Sequence, residues 1–292
     1  MVCRASFFEN SFVAGRTKIT FHPNVGRVRI ITYNVHGCVG MDGRLAPERI
    51  ANVIERFDPD VVALQELDRQ RKRSGHLDQT RIIAELLEMN SHFHPALQIE
   101  EEEYGDAILS KYPMRVVRAG ALPSVPRQFI NETRGALWVA ITIDGREVQF
   151  INTHLGLGRT ERRRQAQALL GPEWVGAAME RGPVVVCGDF NSPAGWVVHG
   201  MLSRDLQDAQ DAAGSESGHR NTFATTFPFV CLDHIFLSDE FEVLDCEVPR
   251  TALIRMASDH FPLVADVMLK SVPHREAGAA SPEIALSSSL DQ

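Results

Sequence analysis

A chain of 292 residues with 44% hydrophobic and 23% charged side chains has the apolar mass for a sizeable core, and it falls outside the compositions of disordered, collagenous and small disulfide-framed proteins. Its 38 acidic residues against 30 Lys and Arg give a formal charge of −8, which counts against a protein that coats a polyanion, because that affinity comes from clustered cations. The cysteines Cys3, Cys38, Cys187, Cys231 and Cys246 are odd in number and lack CxxC or CxxH spacing, so neither a zinc knuckle nor a disulfide framework is expected, and reduced thiols in a cytoplasm are the default.

Residues 1–27 show no clear periodicity and no sustained apolar run of signal-peptide type, and read as an extension. RVRIITYNV then reads as a strand. APERIANVIERF places Ile50, Val53, Ile54 and Phe57 on one helical face, with Pro47 near the first turn. DVVALQEL follows as a strand, Gln79 to Met89 has helical spacing, and DAILSKY reads as a further strand. GALWVAITI and EVQFINTHL flank Asp144-Gly145, a hairpin signal that demands antiparallel pairing. Thr160 to Leu170 has helical spacing, and PVVVCGDF, CLDHIFLS and FPLVADVML complete the strands. The tail 272–292 is rich in Ala, Ser and Pro and reads as a flexible end. One domain over 28–271 is expected, with sheets packed on each other and helices outside. No stretch approaches the roughly 20 apolar residues of a membrane helix, so no stable membrane insertion is expected.

The polar residues gather at strand ends. Asn34 follows RIITY, Glu66 follows VVALQ, His154 follows FINT, and Asp189 and Asn191 follow VVVCG. Asp233 precedes HIFL, and Ser258-Asp259-His260 precede FPLVADV. In an antiparallel sheet the end of one strand and the start of its neighbour share a rim, so these side chains can meet in one cleft. Carboxylate and amide oxygens are hard ligands suited to Mg²⁺, with Mn²⁺ or Ca²⁺ as alternatives, and a His beside an Asp gains a fixed tautomer and a stabilised cation. That inventory suits hydrolysis of a phosphate ester. Taken singly, Glu66 also reads as a strand-end acid, Asn34 as a turn former and Asp189-x-Asn191 as an Asx turn.

The segments TYNVHG, LQELD, INTHLG, GDFNS, LDHIFLS and SDHFPL, in this order from Tyr33 to Phe261, resemble the motifs of the endonuclease/exonuclease/phosphatase superfamily, the deoxyribonuclease I-like group. The resemblance implies an α/β (α+β) four-layer sandwich of two mixed, largely antiparallel β-sheets flanked by helices, with the site at one rim. It implies Glu66 as principal metal ligand, Asn34 as its amide partner or a phosphate contact, and Asp259 close to metal or phosphate. Asp189 is then the base that, with Asn191, positions the attacking water, while Asn191 also holds phosphate. His260 is oriented by Asp233, and His154 binds the non-bridging or leaving oxygen. Arg134 in NETRGAL is a candidate phosphate clamp.

Several positions depart from branches of that superfamily. His154 stands where the abasic-site endonucleases carry other residues, and His36 stands where they carry Asp. His234 stands where 5-phosphatases carry Arg; strand alternation turns it from the Asp233 face, so it is read as structural. Asp106 occupies a position where similar bacterial-type sequences often show Asn; solvation at a strand edge is its expected state, with an extra acid near the cleft that binds metal or repels substrate as the alternative. Arg69, Arg71, Lys72 and Arg73, and likewise Arg159 with Arg162 to Arg164, flank motif segments; such charge runs are ordinarily solvated surface, and the alternative is a binding rim for an anionic substrate, although Arg162 to Arg164 cannot all face one way on a helix.

The expected activity is that of a metal-dependent phosphodiesterase, nuclease-like, whose partner is a phosphodiester substrate, nucleic acid among the candidates. The alternatives are a phosphomonoesterase or a lipid-headgroup or inositol-phosphate phosphoesterase on the same scaffold, and, from another class, a catalytically silent binding module. The oligomeric state is left open.

Overall fold

The computed structural model describes residues 26–125, 133–214 and 218–271. The expected tail 272–292 and residues 1–25 of the expected extension lie outside the described residues, and Arg27 already opens the first strand.

Among the described residues, twelve strands form two six-stranded sheets. The first contains β1 (Arg27–Asn34), β2 (Val61–Arg69), β3 (Asn90–Ile99), β4 (Glu102–Ser110), β11 (Phe241–Glu247) and β12 (Leu263–Leu269), in the order β11-β12-β1-β2-β4-β3. The second contains β5 (Met114–Ala121), β6 (Gly135–Ile143), β7 (Arg146–His154), β8 (Val184–Asp189), β9 (Gln207–Asp208) and β10 (Asp233–Leu237), in the order β5-β6-β7-β8-β10-β9. Each sheet has one parallel pair at its centre, β1 with β2 and β7 with β8, and is otherwise antiparallel. This is the mixed, mostly antiparallel sandwich that the motifs imply.

Alternation along the strands sorts the core. In β6, Leu137, Val139 and Ile141 face the first sheet, while Ala136 and Trp138 face the helices on the outside of the second. On β10, Ile235 and Leu237 join the inter-sheet core and Phe236 joins the outer one. Helices α1 (Pro47–Glu55), α2 (Gln79–Leu86) and α7 (Ala252–Ala257) pack together on the first sheet; α3 (Arg159–Leu170), α4 (Val175–Met179) and α5 (Val197–Leu202) cover the second, and α6 (Ala209–Ala212) lies beside β10 and β11. Proline opens α1, whose Ile50, Val53 and Ile54 are buried, and Asp78 caps α2 by accepting from the Arg81 N–H at 2.9 Å. Each fully buried aliphatic or aromatic side chain contributes roughly 1.5–3 kcal/mol. Among the described residues, no helix is long and apolar enough to cross a membrane.

The central parallel pairs place the chemistry. A parallel pair sends the C-terminal ends of both strands to one rim, and each antiparallel neighbour begins at that rim. The ends of β1, β2, β7 and β8 and the starts of β10 and β12 therefore share one edge of the sandwich.

Candidate active site

On the second sheet, His154 and Asp189 are paired across β7 and β8, and Asp189 is paired with Asp233 across β8 and β10. Three site residues thus stand side by side on one rim. Gly188 makes this spacing possible: its φ is 143°, and a Cβ there would lie 1.8 Å from the Thr153 carbonyl oxygen. On the first sheet, Asn34 ends β1 and Glu66 sits in a bulge of β2, where the pairing with β4 shifts between Leu64 and Leu67. The φ of Glu66 is 64°, a left-handed conformation that breaks the strand alternation.

The bulge frees backbone groups, and two buried side chains take them up. The Glu66 N–H donates to the Asp106 carboxylate. Asn152 on the opposite sheet donates its Nδ2 to the carbonyls of Leu64 and Ala107, each at 2.9 Å, while Gln65 donates Nε2 to Asn152 Oδ1 at 2.8 Å. This polar cross-tie lies between the two sheets beneath the site. Asp106 is therefore not a solvated edge acid, as expected from sequence, but a buried brace in mid-strand, and burial pushes its carboxyl up to about 6 against the pull of His154 and Arg134.

Asp189 is the hub. Its Oδ2 lies 3.1 Å from Asn34 Nδ2, 3.3 Å from His154 Nε2 and 3.8 Å from His260 Nε2, and its Oδ1 accepts the Asn191 N–H at 2.8 Å. The last bond is the Asx turn that the GDFNS segment suggests on its own. Burial opposes the Asp189 charge, but the two histidines and the Asn191 N–H hold its carboxyl well below the usual carboxylate range. His260 Nδ1 lies 2.8 Å from Asp233 Oδ2. Burial would lower the affinity of that ring for its proton, yet the charges of Asp233, Asp189 and Asp259 outweigh it and push the pKa up to about 10. Burial raises the Asp233 carboxyl, and His260 pulls it back.

Arg134 does not meet solvent as a clamp would. It is buried, and its Nη1 donates to His154 Nδ1 at 2.7 Å. Burial and the Arg134 charge oppose a proton on this ring, while Asp189 and Glu66 favour one. The carboxylates prevail, and the affinity of the ring for its proton is raised above the ordinary histidine value. Its Nε2 lies 3.3 Å from Asp189 Oδ2 and 3.1 Å from Asn191 Nδ2. Asn191 turns in at φ 49° and donates Nδ2 to the Leu155 carbonyl at 2.9 Å, beside His154.

The groups expected to hold a cation converge beside His36. Its Nδ1 lies 3.8 Å from Glu66 Oε2 and 3.5 Å from Asp259 Oδ2, and both carboxylates are partly exposed. Each carboxylate is partly open to solvent and offers the hard oxygen donors that fit Mg²⁺ or Mn²⁺. Asn34 presents its Nδ2 to Glu66 Oε1 at 3.0 Å, while its Oδ1 accepts the His36 N–H at 3.1 Å. In this arrangement the amide orients Glu66 rather than offering it an oxygen. Burial raises the Glu66 carboxyl, but the charge of His154 and the Asn34 amide leave it below its ordinary value. Ser258 ties the SDH segment to the Asn34 segment by donating Oγ to the Asn34 carbonyl at 2.8 Å.

His234 faces away from Asp233, as alternation predicts. Its Nδ1 lies 2.8 Å from Asp208 Oδ2 and its Nε2 lies 3.0 Å from the Ser192 carbonyl oxygen, so a closed buried network with His199 pins the end of the GDFNS turn. Burial pushes the Cys187 thiol up to about 12, and Cys38 is likewise raised, so neither is a thiolate nucleophile at neutral pH.

The basic clusters divide. Arg69 pairs with Glu103 and Lys72 is exposed, as surface cations should be, whereas Arg71 and Arg73 line a cavity that includes Glu66. Arg162 is buried against the carbonyls of Gly156 and Leu157, Arg163 and Arg164 are exposed, and Arg159 lies over the Trp196 ring. Sequence reading left out Asn152, the brace role of Asp106 and the meeting of His36 with two acids. Only the placement of Asn152 within INTHLG and of His36 within TYNVHG signalled them.

A family model described as the endonuclease/exonuclease/phosphatase family matches residues 31–260. The uncharacterized protein YbhP of Escherichia coli strain K12 is 26% identical over 253 residues, covering 82% of this chain and 96% of that protein. Among solved structures, an endonuclease/exonuclease/phosphatase from Beutenbergia cavernae is similar with a TM-score of 0.69 and 24% identity, over 84% of this chain and 72% of that one. The Bacteroides thetaiotaomicron mannosyl-6-phosphatase Bt3783 is similar with a TM-score of 0.66 and 20% identity, over 82% of this chain and 99% of that one.

Proposed function

We propose that this chain, which belongs to the endonuclease/exonuclease/phosphatase family, hydrolyses a phosphodiester by in-line attack of water on phosphorus with the help of a divalent cation. The family consists mostly of phosphoric ester hydrolases and is typically dependent on a divalent metal. The observation that carries the reading is the surrounding of one carboxylate oxygen, Asp189 Oδ2, by Asn34, His154 and His260, with two partly exposed acids alongside.

Glu66 and Asp259 would hold the cation, with Asn34 orienting Glu66. When bound, such an ion polarises a phosphoryl oxygen and offsets the charge that repels a nucleophile. Asp189, kept ionised, accepts a proton from the attacking water and aims its lone pair at phosphorus. Its low basicity makes proximity and alignment its main contribution. As the water oxygen bonds to phosphorus, the bond to one alcohol oxygen breaks and that alkoxide takes a proton from solvent water, to which Asp189 in turn returns its own. His260 remains an imidazolium through neutral pH and donates to the charge that develops on the phosphoryl oxygens, while the His154 Nε2–H supplies a second donor. Asp233 and Arg134 set the orientation of the two rings.

A second reading, phosphomonoester hydrolysis, is favoured by the fold shared with a protein named mannosyl-6-phosphatase. The deciding experiment compares bis(p-nitrophenyl) phosphate with p-nitrophenyl phosphate and a panel of single- and double-stranded DNA, sphingomyelin and inositol phosphates, each with Mg²⁺ and with EDTA. Preferential, EDTA-sensitive turnover of diesters is expected. Exclusive turnover of monoesters selects the second reading, and activity unaffected by EDTA refutes the cation-dependent one.

A further inference from the structure

On the outer face of the second sheet, three buried side chains from three elements meet: His199 of α5, Asp208 at the end of β9 and His234 of β10. Asp208 Oδ2 lies 2.8 Å from His234 Nδ1 and 3.2 Å from His199 Nε2, and the three atoms all fall within 4.8 Å of one another. A fourth donor reaches them from a partly exposed position. The side chain of Asp211 in α6 is 56% exposed; its Oδ2 lies 3.7 Å from the same His199 Nε2, while its Oδ1 accepts from Arg220 Nη2 at 2.5 Å.

Each of the three buried groups is held from behind. His234 Nε2 faces the Ser192 carbonyl at 3.0 Å, His199 Nδ1 faces Ser203 Oγ at 3.4 Å, and Asp208 Oδ1 accepts the N–H groups of Gln210 and Asp211 at 2.8 and 3.3 Å. One donor atom per side chain is left, and all three converge. Metal-ligating imidazoles and carboxylates are held from behind in this way. A carbonyl only accepts, so His234 Nε2 carries a proton, and its Nδ1, when the ring is neutral, turns a lone pair on the Asp208 carboxylate. A positive charge must stand between them, either a proton on Nδ1 or a cation. The rings of Phe190 and Phe236, with centroids 5.8 and 5.5 Å from that of His234, make the surroundings apolar, where an unbalanced charge is costly. One imidazolium already balances Asp208. The second imidazole and Asp211 are surplus to an ion pair, whereas a divalent ion uses all four groups.

We infer that His199, Asp208, Asp211 and His234 form a binding site for Zn²⁺, separate from the cation site at Glu66. Two imidazole nitrogens and two carboxylate oxygens suit Zn²⁺ and disfavour Mg²⁺, which takes oxygen ligands. Tetrahedral bonds of about 2.0–2.1 Å set the donors roughly 3.3 Å apart, and the separations of 2.8, 3.2 and 3.7 Å depart from that by about half an ångström at most. On binding, His234 Nδ1 releases its proton to solvent, and His199 carries its one proton on Nδ1, toward Ser203. The two carboxylates then balance the doubly charged ion. The chain fills all four positions, so the ion is structural and no second reaction centre. It joins α5, α6 and β10 and, through Ser192, fastens the turn that carries Asp189 and Asn191.

The test uses the full chain, freed of metal with EDTA and desalted into excess Mg²⁺, which occupies the oxygen-ligand site. Titration with Co²⁺, a spectroscopic substitute for Zn²⁺, should give the intense visible bands of a four-coordinate ion, saturating at one equivalent and erased by one equivalent of Zn²⁺. Glu66→Gln should leave the bands in place, and His199→Gln should abolish them. Asp211→Asn, a change at the surface, should weaken Co²⁺ binding at least tenfold without altering the melting temperature of the metal-free chain. Zn²⁺ should raise the melting temperature of the unaltered chain by several degrees and that of His199→Gln not at all. Bands that survive His199→Gln or vanish in Glu66→Gln put the ion at the catalytic rim and overturn the site, as does binding that Asp211→Asn leaves unaltered. Absence of the bands, with a melting temperature that Zn²⁺ does not move, also overturns it and reduces the cluster to a proton-bridged ion pair. These readouts need no turnover, so they are independent of the phosphodiesterase reading.

Discussion

Asp189 and Asp233 face each other across the antiparallel pair β8 and β10, and the His260 ring turns one nitrogen toward each, Nδ1 at 2.8 Å from Asp233 and Nε2 at 3.8 Å from Asp189. A single register therefore fixes both the water-facing acid and the acid that charges the imidazole. A one-residue slip of β10 would send Asp233 to the opposite face and leave His260 without its anion.

Asp233→Asn keeps the shape of the side chain and removes that anion. The raised affinity of His260 for its proton should fall, so the ring deprotonates at lower pH and the alkaline limb of the pH–rate profile moves to lower pH. Loss of the oriented imidazolium is expected to lower kcat by roughly 10²–10⁴-fold. The sign for stability is the same: the folded-state pKa of about 10 lies above the ordinary histidine value, so the ion pair is fully stabilising below about pH 6.5 and is lost as pH rises through about 10. An alkaline limb identical in the variant and the unaltered chain would contradict this role.

Glu66 and Asp259 should differ in what their loss does. Glu66→Gln removes the charged donor oriented by Asn34 and should raise the Mg²⁺ concentration for half-maximal activity by at least tenfold, with activity at saturating Mn²⁺ partly retained. Asp259→Asn should give a smaller shift in the same direction. Metal titrations of initial rate measure both, and an unchanged Mg²⁺ requirement in Glu66→Gln would remove Glu66 from the cation site.

Asp106 predicts a pH-dependent gain of stability. Because its folded-state pKa is raised to about 6 from the ordinary aspartate value, the folded state holds the proton more tightly, and stability falls as pH rises from about 4 through 6. The corresponding penalty above pH 7 is about 3 kcal/mol. Asp106→Asn keeps an acceptor for the Glu66 N–H and removes the charge. It should raise the melting temperature by several degrees at pH 8 and change it little at pH 4. Thermal melts at the two pH values provide the comparison, and equal shifts at both would contradict a burial effect on the charge.

Asn152 predicts the reverse. Asn152→Leu takes the side-chain donor from the Leu64 and Ala107 carbonyls and leaves Gln65 Nε2 with Thr32 Oγ1 and the Ala63 carbonyl alone, at a cost on the order of 3 kcal/mol. The bulge that aims Glu66 should loosen with it. Urea unfolding should show a lower midpoint, and the Mg²⁺ requirement should rise although Asn152 touches no site carboxylate. A stable variant with a normal metal titration would show that the bulge holds itself.

How much of this was legible depended on burial. The strands read from RVRIITYNV, DVVALQEL, DAILSKY, GALWVAITI, EVQFINTHL, PVVVCGDF, CLDHIFLS and FPLVADVML lie inside the sheets, where both faces are covered and apolar runs are long. The strands that went unread, β3, β5, β9 and β11, are the four sheet edges. β3 carries His92, His94 and Pro95 and is nowhere fully buried, and β9 has only two residues, so composition there is indistinguishable from loop. Motif order marked Asn34, Glu66, His154, Asp189, Asn191, Asp233, Asp259 and His260, and the fold brings them to one rim. The functions of Asp106 and Asn152 depend on the bulge of β2, on the neighbouring strand for one and on the opposite sheet for the other, and the split among Arg69, Arg71, Lys72 and Arg73 depends on which acids of β2 and β4 they meet. Neither relation is periodic in the chain.

The direction of β1 and β12 has a practical consequence. β1 begins and β12 ends at the rim away from the cleft, and the Gly26 N–H donates to Asp144 at 2.6 Å, in the β6–β7 turn, on that same side. At about 3.3 Å per residue, β7 alone sets that turn roughly 25–30 Å from His154. A surface linker, a dye or an inserted module joined at the Asp144-Gly145 turn, with Gly145 itself kept because its φ is 78°, would be a remote handle on the molecule. An immobilised preparation held by that handle would present its reactive edge outward, open to substrates as long as a nucleic-acid strand.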